Sequence, residues 1–140
     1  MKREHFLKAV LLCFFITCNA VNYGQSTGDI AFTAFNADGD KDFAIVALAD
    51  ISANSTIYFT DRESIDPGDF NTGEGTLIWT TGASIISAGT IIVFTDTDNG
   101  SNANFGASIG SLSEVGNFNI SASRDAVFAY TGTDTDTEPH

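Results

Sequence analysis

From Gln25 onward the chain holds no 3.6-residue apolar repeat over a useful length. Short runs rich in Ile, Val, Phe, Tyr and Thr alternate instead with clusters of Gly, Asn and Asp. A side-chain period near two, punctuated by turn formers, directs the backbone into strands and tight connections. It therefore points to an all-β sandwich or barrel. The candidate strands are Asp29–Asn36, Asp42–Ala49, Thr56–Asp61, Gly75–Thr80, Thr90–Thr95 and Ala126–Tyr130, with shorter pieces at Ala83–Ile86, Phe105–Ile109 and Asn117–Ser121. In the first two, large residues tend to alternate with small ones, which gives each strand a core face and a second face. The unbroken Ile91-Ile-Val-Phe94 reads as a central strand.

The connections agree. Ala37-Asp-Gly-Asp-Lys41 joins the first two strands around an Asp-Gly pair, a strong hairpin signal. Two spacers resemble each other, Ile51-Ser-Ala-Asn54 and Ile86-Ser-Ala-Gly89. Each leads into an apolar strand that ends in Phe-Thr-Asp, at Asp61 and at Asp96. Arg62–Glu74, containing Pro67-Gly68 and Gly73, carries no strand signal and reads as a surface loop, a natural place for binding.

Ahead of this region, Lys2, Arg3 and Lys8 precede the apolar run Ala9–Thr17, and small and polar residues follow to Gln25. That order is the one of a secretory signal peptide, here residues 1–24, with cleavage between 20 and 25. Cleavage after Ala20 and after Gly24 both fit, and lipid attachment at Cys18 is a third option. The run is shorter than the roughly 20 apolar residues a bilayer span needs. Export places the chain outside the cell or on its surface. Residues 28–131 form the expected β-sandwich domain, and 132–140 a polar tail that ends without a strand, as a truncated chain would.

Removing the leader changes the chemistry that remains. Cys13 and Cys18 both lie in it, so the domain has no disulfide framework, thiolate metal site or Cys nucleophile unless Cys18 is kept. Loss of Lys2, Arg3, Lys8 and Glu4 takes the net charge from −12 to −14. Such a surface repels phosphate backbones and anionic membranes, and is compatible with divalent cations or a basic partner. His5 falls in the leader and His140 is the last residue, so neither serves as the base of a Ser-His-Asp arrangement. No spacing singles out a carboxylate pair for glycoside hydrolysis. The domain is therefore read as lacking a catalytic centre.

Two constellations remain as candidate sites. Asn36, Asp38, Asp40 and Asp42 place side-chain oxygens at alternate positions of a tight loop, an arrangement suited to calcium. Gly39 comes too early for an EF-hand loop, however, and Lys41 adds a cation. Asp96-Thr-Asp98-Asn-Gly100 is a second acidic turn. Phe70, in the long loop, is the aromatic residue least explained by a core and a candidate anchor for a sugar or protein. Tyr58 and Trp79 lie in strands and read as packing.

Taken together, Gly28-Asp-Ile-Ala-Phe-Thr-Ala-Phe-Asn36, Asp42-Phe-Ala-Ile-Val46, Ile57-Tyr-Phe-Thr-Asp61, Gly73-Glu-Gly-Thr-Leu-Ile-Trp79, Ser87-Ala-Gly-Thr90 and Ile120-Ser-Ala-Ser-Arg-Asp125 resemble the lamin-tail-like β-sandwich of bacterial secreted and surface proteins. Arg124 stands where that family usually carries Gly. The resemblance spans about Gly28 to Gly132. It implies an Ig-like antiparallel sandwich acting as an accessory part, with no catalytic set to carry over. The expected function is a non-catalytic surface module that binds a protein or glycan. The alternatives are an accessory domain of a larger secreted enzyme of nuclease or phosphatase type, and a calcium-stabilised structural module.

Overall fold

The structure, a computed structural model, describes residues 25–66 and 69–132. The expected leader and its cleavage points, Cys18 and residues 133–140 lie outside the described residues. The chain forms strands β1 (Ile30–Asn36), β2 (Asp42–Ala47), β3 (Thr56–Thr60), β4 (Ser64–Asp66), β5 (Asp69–Phe70), β6 (Thr76–Thr80), β7 (Ile91–Thr95), β8 (Gly106–Ala107), β9 (Ser111–Val115) and β10 (Phe128–Tyr130). No helix occurs among the described residues, and so none long and apolar enough to cross a membrane.

Two four-stranded antiparallel sheets carry the fold. The first has the order β1-β2-β7-β8 and the second β10-β3-β6-β9, while β4 and β5 form a separate hairpin. Alternation decides what each sheet turns inward. From the first come Phe43, Ile45, Ala47, Ile92 and Phe94, and from the second Ile57, Phe59, Leu77 and Trp79, all at most 2% exposed. Their rings interlock: Phe43 stacks on Phe94 at 4.6 Å, and Phe59 meets both edge-on at 5.1 and 5.0 Å. Each of the larger of these side chains contributes about 1.5–3 kcal/mol of hydrophobic stabilisation. The one polar atom of Trp79 is satisfied, because its indole N–H donates to the Ile109 carbonyl at 2.8 Å.

The two similar spacers pair with each other. Ile51 and Ile86 exchange backbone hydrogen bonds of 2.8 and 3.0 Å as an isolated antiparallel bridge, and both side chains are buried. Asn54 and Gly89, at equivalent positions, both adopt left-handed backbone, with φ of 56° and 86°. One spacer then feeds β3 in the second sheet and the other β7 in the first. The likeness in sequence thus marks one strand-entry turn used twice, once per sheet. Arg124 also has positive φ, 60°, the conformation that glycine adopts most readily.

Several expected elements differ. Ala83–Ile86 yields only the Ile86 bridge, and Phe105–Ile109 only the two residues of β8. Asn117–Ser121 forms no strand, although Phe118 and Ile120 are buried as its alternation implies. There the Asn119 amide donates to the Asp61 carboxylate instead of a sheet neighbour. The Arg62–Glu74 segment contains the β4–β5 hairpin. Ser111–Val115 is a full edge strand on β6, in register from Thr76↔Val115 to Thr80↔Ser111.

Candidate binding surfaces

The acidic loop between β1 and β2 uses its donors on itself. The Asn36 side chain donates to the Asp40 carbonyl at 2.9 Å and accepts from the Asp38 amide at 3.2 Å. Asp42 accepts the Asp96 amide at 3.0 Å, and the Lys41 ammonium donates to the Ala37 carbonyl. Asp38 and Asp40 are exposed. Among the described residues no three His, Cys, Asp or Glu side chains stand together closely enough to hold a metal ion. The side chains of Asn36 and Asp42 thus serve the turn's own hydrogen bonds, while Asp38 and Asp40 enter it through their backbone and are exposed. Asp96, in the second acidic turn, is 5% exposed, and its Oδ2 has no hydrogen-bond partner among the described residues.

Phe70 is not on an open surface. It is 4% exposed, with its ring 5.6 Å from both Phe128 and Tyr130. Tyr130 in turn stacks on Tyr58 at 5.2 Å. The β4–β5 hairpin therefore folds Phe70 over the outer face of the second sheet. The expected exposed anchor is corrected to a packing residue: even in a polar loop, a Phe gains more by covering other rings than by facing water.

At the end of β3 lies a polar cluster that sequence reasoning missed. Asp61 is 3% exposed, and its two carboxylate oxygens accept the Gly75 amide at 3.0 Å and the Asn119 amide at 2.7 Å. Thr60 Oγ1 donates to the Gly75 carbonyl at 2.7 Å and accepts the Arg62 amide. Burial pushes the Asp61 carboxyl above its ordinary range, with the charge of Asp125 adding to it, while the amide hydrogen bonds pull the other way. The Glu74 carboxyl is also raised, first by burial and then by the charges of Asp61, Asp125 and Glu63. The arrangement staples the entry to β6 and the Phe118 segment onto the end of β3. The only sequence signal for it was the polar residue closing an apolar strand.

A different surface is presented by the outer face of the first sheet. The register places Ala31, Ala34, Ala44, Val46, Ile91 and Val93 side by side on that face, and Leu48 extends the row. Ile91 is 60% exposed, Leu48 57% and Val93 39%. In a chain of net charge −12, none of these seven positions carries a charge. Isolated exposed aliphatics are ordinary; a contiguous patch spread over three strands is the kind of surface that marks an interface.

The rim between the sheets is asymmetric. On one side β8 lies against β9. On the other, a cavity of about 330 Å³ opens between β1 and β10, lined among others by Ile30, Phe32, Ile57, Val127 and Ala129. Comparison with known proteins gives no match to the chain, whether among family models, curated proteins or solved structures.

Proposed function

We propose that this chain is a non-catalytic, exported, lamin-tail-like module that binds a protein or glycan through the outer face of its first sheet. The observation that carries the reading is the charge-free apolar patch of Leu48, Val46, Ile91 and Val93 on an otherwise strongly acidic molecule. Water gains nothing from such a patch, and its burial against a partner returns about 25 cal/mol per Å² of apolar surface. The signal-peptide order of the residues from Lys2 to Gln25 supports export, and the strand-entry turns support the lamin-tail-like reading.

The test is a binding panel of extracellular glycans and proteins, read with the wild-type chain and with Ile91→Thr/Val93→Thr. Threonine keeps the β-branching that suits a strand while making the face polar. The double variant should melt like the wild type and lose the ligands the wild type retains. Retention of the same ligands by the variant would refute the reading.

A further inference from the structure

We infer that the free edge of β1 is an acceptor for an added β-strand, supplied by a partner segment in which apolar residues alternate with basic ones. This inference concerns the sheet edge and the cavity beside it, and does not rest on the outer face described above.

The four sheet edges are not alike. β8 has two residues and β10 three, too short to template a partner strand. β9 carries Glu114, whose carboxylate accepts the Gly100 amide at 2.9 Å and the Phe118 amide at 3.0 Å, so neighbouring loops are tied against that edge. β1 is seven residues long, with neither charge nor proline, and among the described residues pairs on one side only. Edge strands normally carry such protection against unwanted pairing. β1 has only a bulge between Phe32 and Ala34.

Among the described residues the core is incompletely covered along the same edge. Phe35 pairs with Phe43, so it belongs to the inward face, yet it is 50% exposed while Phe43 is 1% exposed. Beside Phe32 the 330 Å³ cavity is walled by residues 25–29 ahead of β1 and, across from them, by residues 127–131 of the β10 segment. A strand laid along β1 would hydrogen-bond its edge, and the alternate side chains of that strand would enter the gap between the sheets. This is β-strand addition: the main chain supplies affinity and the pockets supply selection.

Charge selects the occupant. Asp29 flanks one end of β1, and Asp38, Asp40 and Asp42 the other. An antiparallel pairing with a second copy would set these two acidic ends against each other, so self-pairing is opposed. The chain's own residues 133–140 contain no aliphatic or aromatic residue and add three more acids. A basic, alternately apolar strand meets both requirements.

The test uses the full chain and three synthetic peptides as long as β1 (7 residues): alternating Lys and Val, alternating Glu and Val, and a block peptide of the first composition without alternation. Binding is followed by titration, and its location by amide hydrogen exchange. The alternating Lys peptide should bind at least about ten-fold tighter than either other peptide at low salt and slow exchange in β1. Thr33→Lys, at an exposed position of β1, should weaken the Lys peptide and improve the Glu peptide. Equal binding of the alternating and block Lys peptides would overturn the proposal, because charge alone would then explain it. Absence of binding, protection at β9 in place of β1, or self-association through β1 without peptide would overturn it as well.

Discussion

Replacing Asp61 with Ala removes an acceptor that a buried amide and a part-buried one share. The Gly75 and Asn119 N–H groups would lose their partner in a region where Thr60, Thr76 and Phe118 are each 0% exposed. A hydrogen bond to a charged group contributes about 1.5–3 kcal/mol, so two such bonds set a gross loss of about 3–6 kcal/mol. Part of this is returned, because the variant no longer holds a carboxylate out of water beside Asp125. A net cost of about 2–4 kcal/mol follows, on the order of 10 °C in melting temperature for a domain of this size. Trp79, the single tryptophan and 0% exposed, provides the fluorescence signal for the melt. The pH dependence is a second reading of the same group. The folded pKa lies above the unfolded value, so the favourable contribution of the protonated form is complete below the unfolded value of about 3.8 and is lost as pH rises through the folded pKa. Asp61→Asn stays neutral throughout, so the wild type should gain stability relative to Asp61→Asn on acidification from pH 7. An Ala variant that melts within about 2 °C of the wild type would refute the stapling argument, and a wild-type-to-Asn difference that does not change with pH would refute the electrostatic one.

Other substitutions probe separate parts of the structure. Gly75→Ala would put a Cβ 2.0 Å from the Phe118 backbone nitrogen; a collision between two backbones should cost more than about 4 kcal/mol and be seen as loss of a cooperative melt. Phe70→Ala should destabilise by about 3 kcal/mol by uncovering Phe128 and Tyr130, so any loss of binding in that variant must be read against its melting curve. Trp79→Phe should cost about 1–3 kcal/mol, since it leaves the Ile109 carbonyl without its indole donor; chemical denaturation followed by circular dichroism measures it. Ile91→Thr/Val93→Thr should change stability by no more than about 1 kcal/mol, because Ile91 is 60% and Val93 39% exposed and threonine keeps the β-branched shape.

What the sequence made legible was whatever alternation encodes. β2, β3 and β6 are readable because Phe43, Ile45, Ile57, Phe59, Leu77 and Trp79 recur every second residue, and those are the positions the core buries, while β7 was read from its unbroken apolar run, of which only Ile92 and Phe94 turn inward. Alternation reports which side chains turn inward and says nothing about where the amides go. Hence the expected strand at Asn117–Ser121 did not form although Phe118 and Ile120 are buried: the Asp61 carboxylate holds the Asn119 amide. The converse applies to β9, Ser-Leu-Ser-Glu-Val, where a single residue, Leu112, packs against the core from within a polar run. The β4–β5 hairpin was invisible because five short-strand residues leave no period to read.

Site residues divided in the same way. The Asn36–Asp42 turn was recognisable from composition, but composition does not tell turn hydrogen bonds from metal ligands. Phe70 was read as a candidate anchor because it lies in a segment without strand signal, and only the tertiary position of the hairpin places it on Tyr130. The apolar outer face of the first sheet needed the register: Ala44 meets Val93 and Val46 meets Ile91 across strands that lie far apart in sequence.

The proposed binding face is tested most directly by a methyl footprint. A ligand retained by the wild-type chain in the binding panel is titrated into protein labelled at Ile, Leu and Val methyls, and the resonances are followed by NMR. Leu48, Val46, Ile91 and Val93 should shift and broaden together, while Ile45, Leu77 and Ile92 in the core should not. Perturbation confined to the Ser121–Asp125 turn or to the β4–β5 hairpin, with the Ile91 and Val93 methyls unmoved, would contradict the account.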